Sequence, residues 1–195
     1  MAECWGPFAQ DLDAALAALG TRLLHRPAKL RFFAAADSAV TKWLRQRRVA
    51  LKGQTIWSMP QLVARPPVMP LTTPPADMAA VLALHHQFFA GSAIAQVDAT
   101  HPLFVVRQGQ AVAGYAYAEQ EGTIGRLLYV AVAPAFRRQG LAARLVRSVQ
   151  ADLTAGGATA LTLVQSEQAQ AAGRLYGRLG FAPGRRLVSG ELMVR

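Results

Sequence analysis

Residues 132–142 read Val132-Ala133-Pro134-Ala135-Phe136-Arg137-Arg138-Gln139-Gly140-Leu141-Ala142. An apolar run over 127–134 stops at a proline, and Leu141, Leu145, Val146, Val149 and Leu153 then recur at helical spacing, so a strand passes into a helix here. The first turn of a helix leaves backbone N–H groups free at the positive end of its dipole, and a glycine lets a ligand approach the backbone closely. Such a turn cradles phosphate. Arg137 and Arg138 add donors for charge-assisted hydrogen bonds to phosphate oxygens. No Gly-Lys-Ser/Thr follows and no Gly-x-Gly-x-x-Gly spacing occurs, which argues against nucleotide hydrolysis and dinucleotide redox chemistry.

Upstream, the apolar runs 103–106, 111–118 and 123–132 are separated by Gly-containing turns at 107–110 and 119–122, the pattern of an antiparallel meander. Downstream, Gly156 and Gly157 stop the helix and a buried strand follows over 160–164, completing a βαβ unit whose two strands are parallel. A last helix carries Ala172, Leu175, Tyr176 and Leu179 before Gly180, and residues 187–194 return as a final strand. Earlier, Asp77 occupies an N-cap position ahead of a stripe of Met78, Val81, Leu82, His85, Phe88 and Phe89 that closes at Gly91. His85 lies on the apolar face, where a packed, hydrogen-bonded histidine is expected, and His86 points elsewhere.

The prolines between residues 66 and 75 mark a boundary near residue 65. Before it, Leu12, Leu16, Leu19 and Leu23, then Val40, Trp43 and Leu44, show helical spacing, with a short strand over 56–59. Residues 1–65 are therefore expected to be a mainly helical segment, and 66–195 a separate α/β domain with a mixed sheet. The basic run Lys42, Arg45, Arg47, Arg48 and Lys52 reads as the solvated face of an amphipathic helix.

With 195 residues, 52% hydrophobic, the chain can build a core of one or two domains. Its net charge of +10 favours anionic partners. Cys4, the lone cysteine, excludes an internal disulfide framework and a multi-cysteine metal site, and the N-terminus lacks a secretory layout, so a cytoplasmic address is expected. No apolar run approaches the roughly 20 residues of a membrane helix. Scattered arginines without interleaved aromatics disfavour nucleic acid as the partner.

The loop resembles the acetyl-CoA-binding signature of the GNAT acetyltransferase superfamily, Val-x-Pro-x-x-Arg/Gln-x-x-Gly-x-Gly/Ala, with Val132, Pro134, Arg137, Gly140 and Ala142 in register. Residues Leu175-Tyr176-Gly177-Arg178-Leu179-Gly180-Phe181 resemble the family's later Leu-Tyr-x-x-x-Gly-Phe element, at the spacing a helix and a strand require. The resemblance implies acetyl-CoA as co-substrate, no metal, and transfer to an amine of a small molecule or a peptide N-terminus by direct attack in a ternary complex. It implies that Arg137, Arg138, Gln139, Gly140, Leu141 and Ala142 grip the CoA pyrophosphate. It also implies that Val130 and Val132 bond the pantetheine arm through their backbones, one amide polarising the thioester carbonyl, and that Tyr176 is the general acid. Where many members carry an early strand glutamate this chain has Gly125, Arg126 and Leu127, so Glu119, Glu121 or a water chain is left to act as base, Glu119 first. Ala169 stands near where an asparagine often contacts the cofactor. A catalytically silent acyl-CoA-binding or regulatory protein is the alternative reading. Residues 1–65 are read as a degenerate GNAT half-repeat, or as an extension that covers the acceptor groove or forms a homodimer.

Overall fold

The computed structural model describes residues 2–5, 28–63, 77–89, 92–94 and 96–194. The helix expected over 12–23, the boundary near residue 65 and the stop at Gly91 lie outside the described residues. The rest groups into two compact units, one of Met1–Ile56, Gln165–Arg174 and Pro183–Arg195, the other of Trp57–Val164 and Leu175–Ala182.

In the first unit, β1 (Ala2–Trp5) runs parallel to β2 (Ala28–Ala35), and β2 pairs antiparallel with β8 (Ala182–Val194), which neighbours β3 (Leu51–Met59). Between β2 and β3 lies α1 (Ala39–Gln46), whose first turn is capped by Ser38 accepting from the Thr41 amide at 3.3 Å. Its Val40 and Leu44 pack on Phe32, Ala34 and Val188, so one face of the strands is closed by an apolar stripe. Lys42, Arg45, Arg47, Arg48 and Lys52 are exposed, as expected of a solvated face. The described part of residues 1–65 thus holds strands on both sides of its helix, and β2 is an addition to the sequence reading.

The second unit is built on the expected meander, β4 (Leu103–Gln108), β5 (Ala111–Glu121) and β6 (Ile124–Val132), in the order β7-β6-β5-β4 with β7 (Ala160–Ser166) parallel to β6. Its turns are tighter than the sequence suggests, centred on Gly109 and Gly122, each at φ 58°. Glu119 and Glu121 therefore belong to β5 rather than to a turn. The ladder continues through them because Arg126, opposite Glu119, donates to both carboxylates at 2.8 and 2.9 Å.

One face of this unit is covered by α2 (Met78–Phe88), whose Val81 and Leu84 pack on Leu103, Val105, Tyr115, Tyr117 and Ala131. Asp77 stands at the cap position but makes no side-chain cap bond. Its buried carboxylate instead accepts from the Nε and Nη2 of Arg107 on β4, which out-competes an amide as a charged, two-pronged donor. The other face is covered by α3 (Leu141–Ala155), with Leu141, Leu145, Val146, Val149 and Leu153 buried as the spacing predicts. Gly157 in the left-handed region (φ 89°) ends the helix, with Ala158 N–H returning to the Leu153 carbonyl at 2.8 Å. The last helix, α4 (Gln170–Arg178), closes at Gly180 (φ 95°).

Candidate active site

The parallel ladder between β6 and β7 is short. Its pairs run from Ile124 and Ala160 to Leu127 and Leu163 and then stop, although β6 continues to Val132 and β7 to Ser166. On its other side β6 stays paired with β5 as far as Val132 and Gly114. Leu128 is the exception, an unmatched residue at an irregularity between Tyr117 and Ala118, 37% exposed. A one-sided slot thus opens beside residues 128–132.

The polarity of that slot follows from register. Ala133 N–H donates to the Ala113 carbonyl at 2.9 Å, so residues 133, 131 and 129 bond toward β5. Val130 and Val132, in the alternate positions, turn their N–H and C=O groups toward the open edge. Backbone donors and acceptors line the slot without a strand partner, which suits an extended amide-bearing ligand.

At the upper end of β6, a 3₁₀ turn over Pro134–Phe136 leads into the loop. Arg138 (φ 66°) and Gly140 (φ 76°) both adopt left-handed backbone, and Arg138 does so against the preference of a side-chain-bearing residue, which costs about 1–2 kcal/mol. A Cβ on Gly140 would meet nothing within 4 Å, so the space before α3 is open. The first bond of the helix runs from Arg144 N–H to the Gly140 carbonyl at 3.1 Å, leaving the amides of Leu141, Ala142 and Ala143 unused at the helix end. Leu141 is itself buried, so it offers this site a backbone N–H only, while Arg138, Gln139 and Gly140 are exposed beside it. Residues 138–143 make a concave, positively polarised surface that fits a diphosphate.

Arg137 behaves differently from its neighbour. Its Nε donates to the Val132 carbonyl at 3.1 Å, and its guanidinium lies 5.0 Å from the ring centre of Phe88 at the end of α2. Phe88 stands in the predicted helical stripe, where it reads as core, yet it is 38% exposed.

Tyr176 on α4 is buried, 6.3 Å from the Trp57 ring and 5.8 Å from Phe181. Burial pushes its hydroxyl up to about 12, so it keeps its proton across the neutral range. Glu119 is held by Arg126 and lies 3.9 Å from His101 Nε2. Arg126, opposite it, precedes Val130 by four residues, roughly 13 Å along a strand. The described geometry therefore keeps Glu119 apart from Val130 and Val132. His85 is buried and bonded at both ring nitrogens, as its setting suggests. Ser92 Oγ donates to the Phe89 carbonyl at 2.7 Å, so Nε2 carries the proton toward Ser92 (3.1 Å) and Nδ1 accepts from the Tyr115 hydroxyl (2.7 Å). Phe88 and Trp57 are the neighbours that sequence spacing does not tie to the site.

Among the described residues, no group of three or more His, Cys, Asp or Glu side chains could hold a metal ion, and no helix is long and apolar enough to cross a membrane.

With its mixed sheet, its parting β6–β7 pair and the open N-terminus of α3, the chain is an α/β protein of the acyltransferase class. The chain belongs to the acetyltransferase (GNAT) family, whose model matches residues 69–181. A GNAT-family structure from Novosphingobium aromaticivorans is similar over 95% of this chain and 83% of its own, at 21% identity and a TM-score of 0.71. A GCN5-related N-acetyltransferase from Sphaerobacter thermophilus is similar over 87% of this chain at 17% identity and a TM-score of 0.67, and this chain spans 61% of that one. An aminoglycoside N-acetyltransferase solved in complex with CoA matches 56% of this chain and 88% of its own, at 22% identity and a TM-score of 0.50. These likenesses bear on the fold, which is the one the sequence motifs imply. No curated protein matches the sequence.

Proposed function

We propose that the protein transfers the acetyl group of acetyl-CoA to the amine of a small molecule or a peptide N-terminus. The observation that carries this is the end of β6–β7 pairing at Leu127 and Leu163, on the strand that leads through the loop to an open helix N-terminus. The backbone amides from Arg138 to Ala142 hold the pyrophosphate, Arg138 and Gln139 adding side-chain donors. Val130 and Val132 take the pantetheine arm through the backbone groups that face the slot, and an amide there polarises the thioester carbonyl.

The acceptor nitrogen attacks that carbonyl directly, the C–S bond breaks, and CoA leaves as the thiol. Tyr176 supplies the proton for the departing sulfur; burial keeps its phenol in the protonated form across the neutral range, which is the form an acid requires. The proton lost from the amine passes to water, with Glu119 as its receiver at a distance, since the carboxylate is engaged by Arg126.

The test is thiol release: purified protein, acetyl-CoA and an amine panel, followed with a thiol reagent. Acceptor-dependent release supports the reading. Saturable CoA binding with no release for any amine would mark a silent acyl-CoA-binding protein instead, and no CoA binding would end both.

A further inference from the structure

The geometry points to Arg137 as a positioning residue rather than a phosphate ligand, and to Phe88, outside the loop motif, as its partner. This rests on the reading of the loop as a coenzyme cradle. Two contacts fix the side chain. Nε donates to the carbonyl of Val132, the last residue of β6, and the guanidinium carbon lies over the exposed ring of Phe88 at the end of α2, 5.0 Å from its centre. The Arg137 backbone is extended (φ −70°, ψ 164°) and its own amide returns to the Pro134 carbonyl at 3.3 Å, so the residue closes the turn on three sides.

Two consequences follow. The Val132 carbonyl already has a donor, which leaves the Val132 amide and the Val130 groups as the open backbone sites of the slot. The loop's position also becomes tied to α2, the helix that packs over Tyr115, Tyr117 and Ala131 on the face away from α3. Arg138, exposed and without such ties, is the arginine free to meet a phosphate.

The two roles separate by chemistry. A glutamine places its amide nitrogen at the same distance along the side chain as the Nε of arginine, so it can keep the bond to Val132 without charge. A lysine keeps the charge but has a methylene at that position and no planar face for the ring. Calorimetric titration with CoA is to be run on the wild type, R137Q, R137K, F88L and the F88L/R137Q double variant at several salt concentrations. Positioning predicts a loss of about two- to fivefold for F88L and for R137Q, and about tenfold for R137K. The double variant should bind no more weakly than R137Q alone, because both remove the same stack, and R137Q should keep the wild-type salt slope. If R137K binds like the wild type while R137Q is weaker and less salt-sensitive, or if F88L has no effect, the assignment is overturned with the coenzyme reading intact. Absence of CoA binding by the wild type would overturn both.

Discussion

A Cβ placed on Gly125 would stand 2.6 Å from Leu153 Cδ1 and 3.2 Å from Leu161 Cδ1. The first strand of the βαβ unit and its crossover helix approach each other so closely that a β-carbon here requires the Leu153 side chain to shift, and Leu153 and Leu161 are fully enclosed. Gly125→Ala should therefore lower stability by about 1–3 kcal/mol through overpacking. Thermal denaturation reads this as a lower Tm; an unchanged Tm would mean Leu153 can move aside.

Gly140 combines a left-handed backbone (φ 76°) with empty space in front of α3. Gly140→Ala places a methyl group in the cradle and costs about 1–2 kcal/mol of backbone strain. CoA affinity should fall by about tenfold or more, beyond any change in Tm, and equilibrium titration checks it.

Tyr176→Phe keeps the ring between Trp57 and Phe181 but removes the proton donor. Turnover should fall by about 10²- to 10⁴-fold with CoA binding retained. Because burial raises the hydroxyl to about 12, the wild-type rate should show no alkaline loss from this group up to pH 10. A limb near pH 8 that vanishes in the variant would contradict the assignment.

Burial lowers the pKa of His85 below its ordinary 6.5. The unfolded chain then binds a proton at higher pH than the folded one, so stability is complete above about pH 6.5 and declines as pH falls from there to the folded pKa. Urea denaturation at pH 7.5 and pH 5 should show a lower midpoint at the acid value, and His85→Gln should shrink that difference.

Asp77 is buried against a single charged partner, Arg107. Arg107→Met leaves the carboxylate without its donor and should cost about 1–3 kcal/mol, while Asp77→Asn in the same background should recover part of it. Equal stability of the two variants would show that Asp77 finds water instead.

The meander, the βαβ unit and the helix after Gly140 are legible because local patterning carries them: apolar runs broken at Gly109 and Gly122, and a 3.6-residue stripe from Leu141 to Leu153. β2 is absent from the sequence reading. Lys29, Leu30, Arg31 and Phe32 alternate, yet the strand's antiparallel partner β8 lies at the far end of the chain, where no spacing rule reaches. Asp77 reads as a cap, because nothing in its neighbourhood announces Arg107 thirty residues on.

The family motifs and the strand-to-helix turn at Gly140 are written in the amino-acid sequence, since a helix N-terminus with its glycine is a local arrangement of backbone. Where β6 and β7 part, that Arg137 meets Val132 and Phe88, and that Glu119 is held by Arg126 emerge only from the packed chain. Those outcomes depend on which partner each group meets across the sheet, and competition among distant donors and acceptors is settled only when the chain has packed.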